Sequence, residues 1–286
     1  DVRVLFFWIA VTMLAFAGNS ILTRLAFAET AIDPGYFVLL RLGSGAAVLV
    51  LLTARQKSVG SLRGPKRLSS TLGLSFYMLG FSYAYTKLDT GVGALILFGV
   101  VQIAMFGAAV FAKEQLPLYR VTGASIAFGG LCYLLAPTAS VIMDPLAVCL
   151  MVLAGLGWGW YSLVGRNAGP SLPATAASFA LSLPLCAAVV WFSTSATPVI
   201  TSYGVMLALL SGAVTSAMGY ALWYWILPQI STSIASVSQL VVPVLAMAAG
   251  VLLLGELVTV KFILACGLVL GGIAISLGLH RSLRLT

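Results

Sequence analysis

The sequence predicts an all-α membrane protein with ten transmembrane helices, arranged as two inverted five-helix repeats. Three observations predict it. The 286 residues are 61% hydrophobic and only 8% charged, where a soluble domain carries about 25% charged residues. The apolar residues gather into long unbroken runs, unlike the alternating strands of about ten residues that build a membrane β-barrel. The chain also aligns with itself at an offset of 142 residues.

The runs, in order, are 4–27, 36–53, 69–87, 91–111, 120–136, 144–164, 174–191, 204–226, 231–254 and 260–279. A crossing helix needs about 20 mainly apolar residues. The chain opens on Asp1, so it is expected to begin past the native initiator Met. Its first run leads straight into the next and shows no small-residue cleavage site, so it reads as a span and not a signal peptide. Short loops place any function among the helices.

The net charge of +8 sits in those loops and does not point to nucleic acid. With a cytoplasmic N-terminus, one face gathers Arg3, Arg55, Lys57, Arg63, Lys66, Arg67, Lys113, Arg120, Arg166, Arg281 and Arg284. The other receives Arg24, Lys87 and Lys261, with Glu29, Asp33, Asp89, Asp144 and Glu256. Positive residues stay inside, so both termini are expected to be cytoplasmic. The four cysteines, Cys132, Cys149, Cys186 and Cys266, lie within apolar runs and read as small hydrophobes, not as a disulfide or metal set.

The offset pairs Ser20 with Ser162, Arg24 with Arg166, Thr90 with Thr232, and Val100 with Val242. It also pairs Ala104-Met105 with Ala246-Met247, Glu114 with Glu256, and Gly129-Gly130 with Gly271-Gly272. Apolar matches come cheaply, so the Arg, Glu and Gly-Gly matches carry the argument. The halves are 1–140 and 141–286, with five runs each. Five is odd, so the second half must enter the membrane upside down. Secondary transporters use this arrangement, with the site near the midplane where the halves meet.

The ninth run, Ser231 to Glu256, is polar in a pattern. Thr232, Ser236, Gln239 and Pro243 form one narrow helical stripe. Such a stripe faces either a solute pathway or a neighbouring helix that it binds. Pro243 removes a donor and is expected to bend the helix there. Arg41 is the charge inside an apolar run; it either snorkels outward or faces an interior cavity. Phe7, Trp8, Tyr36, Tyr119, Trp191, Tyr203, Trp223, Tyr224 and Trp225 lie near run ends and read as interfacial belts. Tyr77, Phe81, Phe98, Trp158 and Tyr220 lie deeper, and Trp158 shares a face with Tyr161. These residues either wall an aromatic pocket or fill helix interfaces.

Asn19, Gln102, Ser238 and Gln239 are the candidates to orient a polar solute. Gly267 and Gly271 form a GxxxG pattern that reads as close helix packing. No ATP-binding loop, metal set or nucleophile–base pair stands out, so no cofactor and no enzyme activity are expected. His280 reads as a snorkelling tip. Glu114 and Glu256 stand at matching run ends, where capping accounts for them. With no carboxylate in mid-run, facilitated diffusion is favoured over proton coupling.

The segments VVPVLAMAAGVLLLGE and GLVLGGIAI, Pro34 with Arg41, and GWGWYSLVGR (Trp158 to Arg166) together resemble the drug/metabolite transporter superfamily, in its EamA-like branch of ten-helix carriers. The likeness covers nearly the whole chain, and overall it is greatest to the YddG-type exporters of aromatic amino acids. Two positions depart from the pattern. Phe16 stands where a Trp is usual, so no role is assigned to it, and Val101 stands at the twin position of Pro243. The resemblance implies a carrier in a bacterial inner membrane. Its central cavity would be lined by the first, third, fourth, sixth, eighth and ninth spans, with a small solute moved outward by alternating access. A different metabolite, nucleobase or drug, proton antiport, or a gated pore remain the alternatives.

Overall fold

A computed structural model describes residues 2–28, 31–57, 64, 66–136, 143–193, 198–255 and 257–276. Glu29, Arg63, Glu256, His280, Arg281 and Arg284 lie outside the described residues. Each of the ten apolar runs is helical where described. The helices are α1 (Val2–Ala28), α2 (Pro34–Arg55), α3 (Arg67–Ala84), α4 (Thr90–Phe111), α5 (Leu118–Leu135), α6 (Pro145–Gly165) and α7 (Ser171–Ser193). The eighth run is composite: α8 (Ser202–Leu210), a π-helical segment (Ser211–Met218), α9 (Gly219–Ile226) and a closing 3-10 turn (Leu227–Gln229). The ninth is broken into α10 (Thr232–Ser238) and α11 (Val241–Leu254), and α12 is Val260–Ser276.

Among the described residues, seven stretches are long and apolar enough to cross a membrane: Arg3–Ala28, Pro34–Arg55, Thr90–Phe111, Pro145–Gly165, Ser171–Ser193, Ser202–Gln229 and Thr232–Leu254. Of the ten expected spans, these seven qualify. α3, α5 and α12 fall short, at 18, 18 and 17 residues. The composition of α3 has a physical cause. It packs against both α6 and α7 and buries Ser70, Thr71, Gly73, Ser75, Gly80 and Ser82. A helix enclosed by protein needs no lipid-compatible surface.

Local chemistry sets the helix starts. Asp33 accepts from the backbone of Gly35, with Pro34 opening α2. Asp144 accepts from Leu146 and Ala147, with Pro145 opening α6. Thr201 and Ser231 cap α8 and α10 in the same way. Each cap satisfies backbone donors that the first turn leaves unpaired.

The packing follows the 142-residue offset. Runs two and seven, four and nine, and five and ten are twins, and α2 meets α7, α4 meets α11, and α5 meets α12. The remaining contacts come in exchanged pairs. α3 packs on α6 as α1 packs on α8, the π segment and α9; α4 packs on α6 as α1 packs on α11. Closer in, a Cβ on Gly272 would lie 2.5 Å from the Gly123 carbonyl, and one on Gly130 would lie 3.1 Å from the Ala265 carbonyl. Those two contacts interchange under the same offset.

The GxxxG face of α12 is not used within the chain. A Cβ on Gly267 or Gly271 would meet nothing within 4 Å. Gly123, Gly130 and Gly272 make the close approach instead, because they lie on the faces that α5 and α12 turn toward each other.

Candidate functional site

The centre of the molecule is aromatic. Phe16, Tyr77, Phe81, Phe98, Trp158 and Tyr220, with Ser20 and Leu97, surround an enclosed space of about 210 Å³ that is too finely divided to admit a water molecule. All five aromatic side chains named as walls from the sequence are therefore brought together. α3, α4, α6 and α9 supply them, and α1 adds Phe16. The rings meet edge-on or tilted: Phe16–Trp158 at 5.0 Å, Tyr77–Trp158 at 4.9 Å and Trp158–Tyr220 at 4.6 Å between centroids. Such geometries satisfy ring quadrupoles. Phe16 and Trp158 are twins under the offset, and they touch.

Arg41 points inward. It is 0% exposed and lies seven residues into α2, about 10 Å along it at 1.5 Å per residue. The snorkelling alternative is thereby excluded. Its Nε donates to Ser216 Oγ at 2.9 Å, and its Nη2 donates to the hydroxyls of Tyr220 at 2.7 Å and Tyr77 at 3.2 Å. Tyr220 in turn donates to Tyr77 at 2.9 Å.

Asn19 stands one bond further on. Its Nδ2 donates to the Tyr220 hydroxyl at 3.3 Å, and its Oδ1 faces the hydroxyls of Ser211, Thr215 and Ser216 at 3.0, 2.6 and 2.9 Å. Those three hydroxyls come from the π segment. A π turn widens the helix by one residue, which lets positions 211, 215 and 216 converge on one atom. Gly212 permits the approach of α2. A Cβ there would lie 2.1 Å from the Arg41 carbonyl and from Ser44 Oγ.

The broken ninth run supplies the opposite side. Trp158 Nε1 donates to Gln239 Oε1 at 2.6 Å, and Gln239 Nε2 reaches Met105 Sδ at 3.3 Å and the Ala235 carbonyl at 3.1 Å. Gln239 sits at the discontinuity between α10 and α11. Pro243 causes it: proline has no N–H for the carbonyl four residues earlier, and its ring crowds that carbonyl. The carbonyl belongs to Gln239 and is taken by Val242 N–H at 3.1 Å instead. The bend thus falls about one turn before the proline. The stripe faces protein throughout, since Ser236 donates to Gln102 Oε1 at 2.5 Å across the α4–α10 contact.

Two expectations are corrected by the packing. Ser238 bonds the Ile234 carbonyl of its own helix at 2.8 Å, a local alternative open to any helical serine, and it does not join the chamber. Trp223 and Tyr224 are not belt residues. They are 0% and 1% exposed, because the composite eighth run turns them inward. Trp223 donates to Ser162 at 3.0 Å and Tyr224 to the Tyr161 carbonyl at 3.0 Å. Tyr161 stacks on Tyr224 at 4.5 Å and lies behind Trp158 at 5.5 Å, off the chamber wall. Trp191, at 81% exposed, fits the belt reading. The sequence reading missed Phe16, Ser20 and Leu97 on the wall and Ser211, Thr215 and Ser216 beneath it. The legible signals were the i, i+3, i+4 set Phe16, Asn19, Ser20 and the small polar stretch SGAVTS.

Glu114 lies just beyond α4. Its carboxylate accepts from Ser233 Oγ and from the backbone N–H of Thr232 at 3.1 Å, and Arg120 stands 3.6 Å away. It caps α10, in keeping with the sequence reading. Burial pushes its carboxyl up, but the Ser233 and Ser231 hydroxyls and the two backbone donors together hold it below its ordinary value.

Long apolar helices packed around a buried aromatic centre, with a helix break beside it, mark a multi-pass membrane protein. The comparisons make the class specific. The EamA-like transporter family model matches residues 145–278. An uncharacterized protein of Pseudomonas aeruginosa is 44% identical over 267 residues, 93% of this chain and 91% of that one. An uncharacterized transporter of Archaeoglobus fulgidus is 27% identical over 209 residues, 71% of this chain and 73% of that one. One solved structure, described only as a crystal structure of a protein, shares the fold with a TM-score of 0.74 at 20% identity, over 96% of this chain and 98% of the other. The second half of the chain thus matches the EamA-like transporter family, a similarity that supports a multi-pass membrane transporter of small molecules.

Proposed function

We propose that this protein exports small amphipathic solutes with an aromatic body, aromatic amino acids first among them, across a bacterial inner membrane by alternating access. One observation carries the reading. Six aromatic side chains from five helices, α1, α3, α4, α6 and α9, converge on one space, beside polar groups that are buried at mid-helix. Rings around a void recognise a ring through dispersion and quadrupole contacts. Asn19, Arg41 and Gln239 supply the polar end, and Gln239 also fixes the orientation of Trp158. Gln102 steadies the α4–α10 contact through Ser236.

Ten crossings arranged as inverted five-helix halves, 1–140 and 141–286, with both termini cytoplasmic, complete the reading. The exchanged contacts and the meeting of Phe16 with Trp158 support it, since twins can touch only near the axis that relates them. Arg24 and Arg166, also twins, grip the loops ahead of α4 and α10. Arg24 reaches Asp89 at 3.2 Å and the Tyr85 carbonyl at 3.4 Å, and Arg166 reaches the Ile230 carbonyl at 2.7 Å. We read the two as latches at opposite faces. Transport runs down the solute gradient, because the described carboxylates all stand at or beyond helix ends.

The test is counterflow in liposomes with a panel of amino acids, nucleobases and cationic drugs, with and without a pH gradient. Saturable counterflow of phenylalanine, tyrosine or tryptophan that ignores the pH gradient is expected. Indifference to all three would sink the substrate claim. A strict pH dependence would sink the facilitator claim, and single-channel currents would replace the carrier with a pore.

A further inference from the structure

The centre carries a positive charge with no negative one to answer it. Arg41 is wholly buried, and a guanidinium keeps its proton in proteins. Among the described residues, no carboxylate pairs with it. The ion pairs Arg24–Asp89 and Arg120–Glu114 lie at helix ends, as do Asp33 and Asp144, which cap α2 and α6.

Neutral oxygens hold Arg41 instead. Nε and Nη2 reach Ser216, Tyr77 and Tyr220, while Nη1 meets no acceptor. The guanidinium carbon lies 5.0 Å from the Phe81 ring centroid and 5.5 Å from that of Tyr77. Burying an unanswered ion costs more than contacts with ring faces return. A charge kept at this cost inside a membrane protein marks a functional position.

Three of the side chains that touch Arg41, namely Tyr77, Phe81 and Tyr220, are themselves chamber walls. A second observation comes from the wall itself. Ser20 Oγ lines the chamber, is wholly buried and has no partner. Gln102 Nε2, one turn along α4 from Phe98, is also buried without an acceptor. Every one of these unsatisfied groups can donate a hydrogen bond, and no acid stands among them.

We propose that the chamber selects for anions: it takes solutes that carry a carboxylate, whose negative charge answers Arg41, and it rejects amines that lack one. This inference rests on the reading of the chamber as the substrate site. A monocarboxylate with an apolar body suits the chamber at least as well as a zwitterionic amino acid does. An ammonium gains only ring faces and the Ser20 oxygen, and it pays repulsion from Arg41. A cationic amine without a carboxylate has those contacts alone.

Binding to the detergent-purified full chain tests this, read as ligand-induced shifts in melting temperature at neutral pH. The probes are two charge-matched pairs, 3-phenylpropionate with phenethylamine and hexanoate with hexylamine, plus L-phenylalanine. Within at least one pair the carboxylate is expected to bind about tenfold or more tighter than the amine, with L-phenylalanine between them. Arg41→Lys keeps the charge but not the planar fork, so it should retain the preference at weaker affinity. In Arg41→Met the preference should collapse toward parity.

Amines that match or exceed carboxylates in both pairs overturn the inference, as does the absence of binding by either carboxylate. A folded Arg41→Met protein with the full preference overturns it too. If Arg41→Met does not fold, the wild-type series decides alone. Binding of hexanoate but of no aromatic probe would sink the aromatic reading and leave the charge selectivity standing.

Discussion

Arg41, Asn19 and Gln239 hold the chamber through bonds that no single helix could provide. Arg41 joins α2 to α3 and α9, Asn19 joins α1 to the π segment, and Gln239 joins the broken ninth run to α6. Glu114 does comparable work at the rim, where its shifted carboxyl allows a pH test. Its folded-state value lies below the ordinary 4.5. It therefore adds stability that is fully present above about 4.5 and is lost as pH falls through the lower folded value. Glu114→Gln removes that contribution, worth about 1 kcal/mol after screening by water. The melting temperature of wild type should exceed that of the variant at neutral pH, and the gap should close as pH falls below 4.5. A gap independent of pH would show that the carboxylate charge is not what caps α10.

Two irregular elements give the site its shape. In the ninth run, Pro243→Ala restores an N–H to the Gln239 carbonyl. The helix then has reason to run straight from Thr232 to Leu254, drawing Gln239 off Trp158. Transport should fall while thermal stability holds or rises slightly. If transport and the accessibility of cysteines engineered on both sides stay unchanged, Pro243 has no gating role.

In the eighth run, Gly212→Ala drives a methyl into the Arg41 carbonyl and Ser44 at 2.1 Å. It should cost at least the upper end of the about 1–3 kcal/mol typical of overpacking, visible as a lower melting temperature. Gly271→Ala, with nothing within 4 Å, should leave the melting temperature within about a degree in dilute detergent. Equal effects of the two would refute the assigned close approach.

For the molecule as a whole, the twin arginines predict opposite consequences of one kind of change. Arg24→Ala loosens the Asp89–Tyr85 latch, and Arg166→Ala loosens the Ile230 latch. With a cysteine placed at Ser20 in the chamber, an impermeant thiol reagent should label the first variant faster from one side of the membrane and the second faster from the other. A several-fold change is the expected scale for a latch worth about 1 kcal/mol. Acceleration from the same side in both variants would break the assignment of the latches to opposite faces.

Composition and hydrophobic runs made a helical membrane protein legible, because lipid demands apolar length and internally satisfied backbone whatever the fold. The offset of Arg24, Glu114 and Gly-Gly marked two halves of the chain, and the helices that meet are paired by the same offset. Three of the wall aromatics, Tyr77, Trp158 and Tyr220, were legible too, since polar-tipped rings at mid-run have to face inward. The π turn was not, because a one-residue widening leaves no pattern distinct from an ordinary polar stretch. Nor was the burial of Trp223 and Tyr224, which follows from the rotation that this turn imposes. Ser238 and Pro243 show the same limit. A helical serine satisfies itself or a neighbour at equal cost, and a proline acts on the carbonyl one turn away. Direction around a helix axis, for Arg41 above all, is set by which neighbours offer oxygens, and those lie up to 179 residues away in the chain.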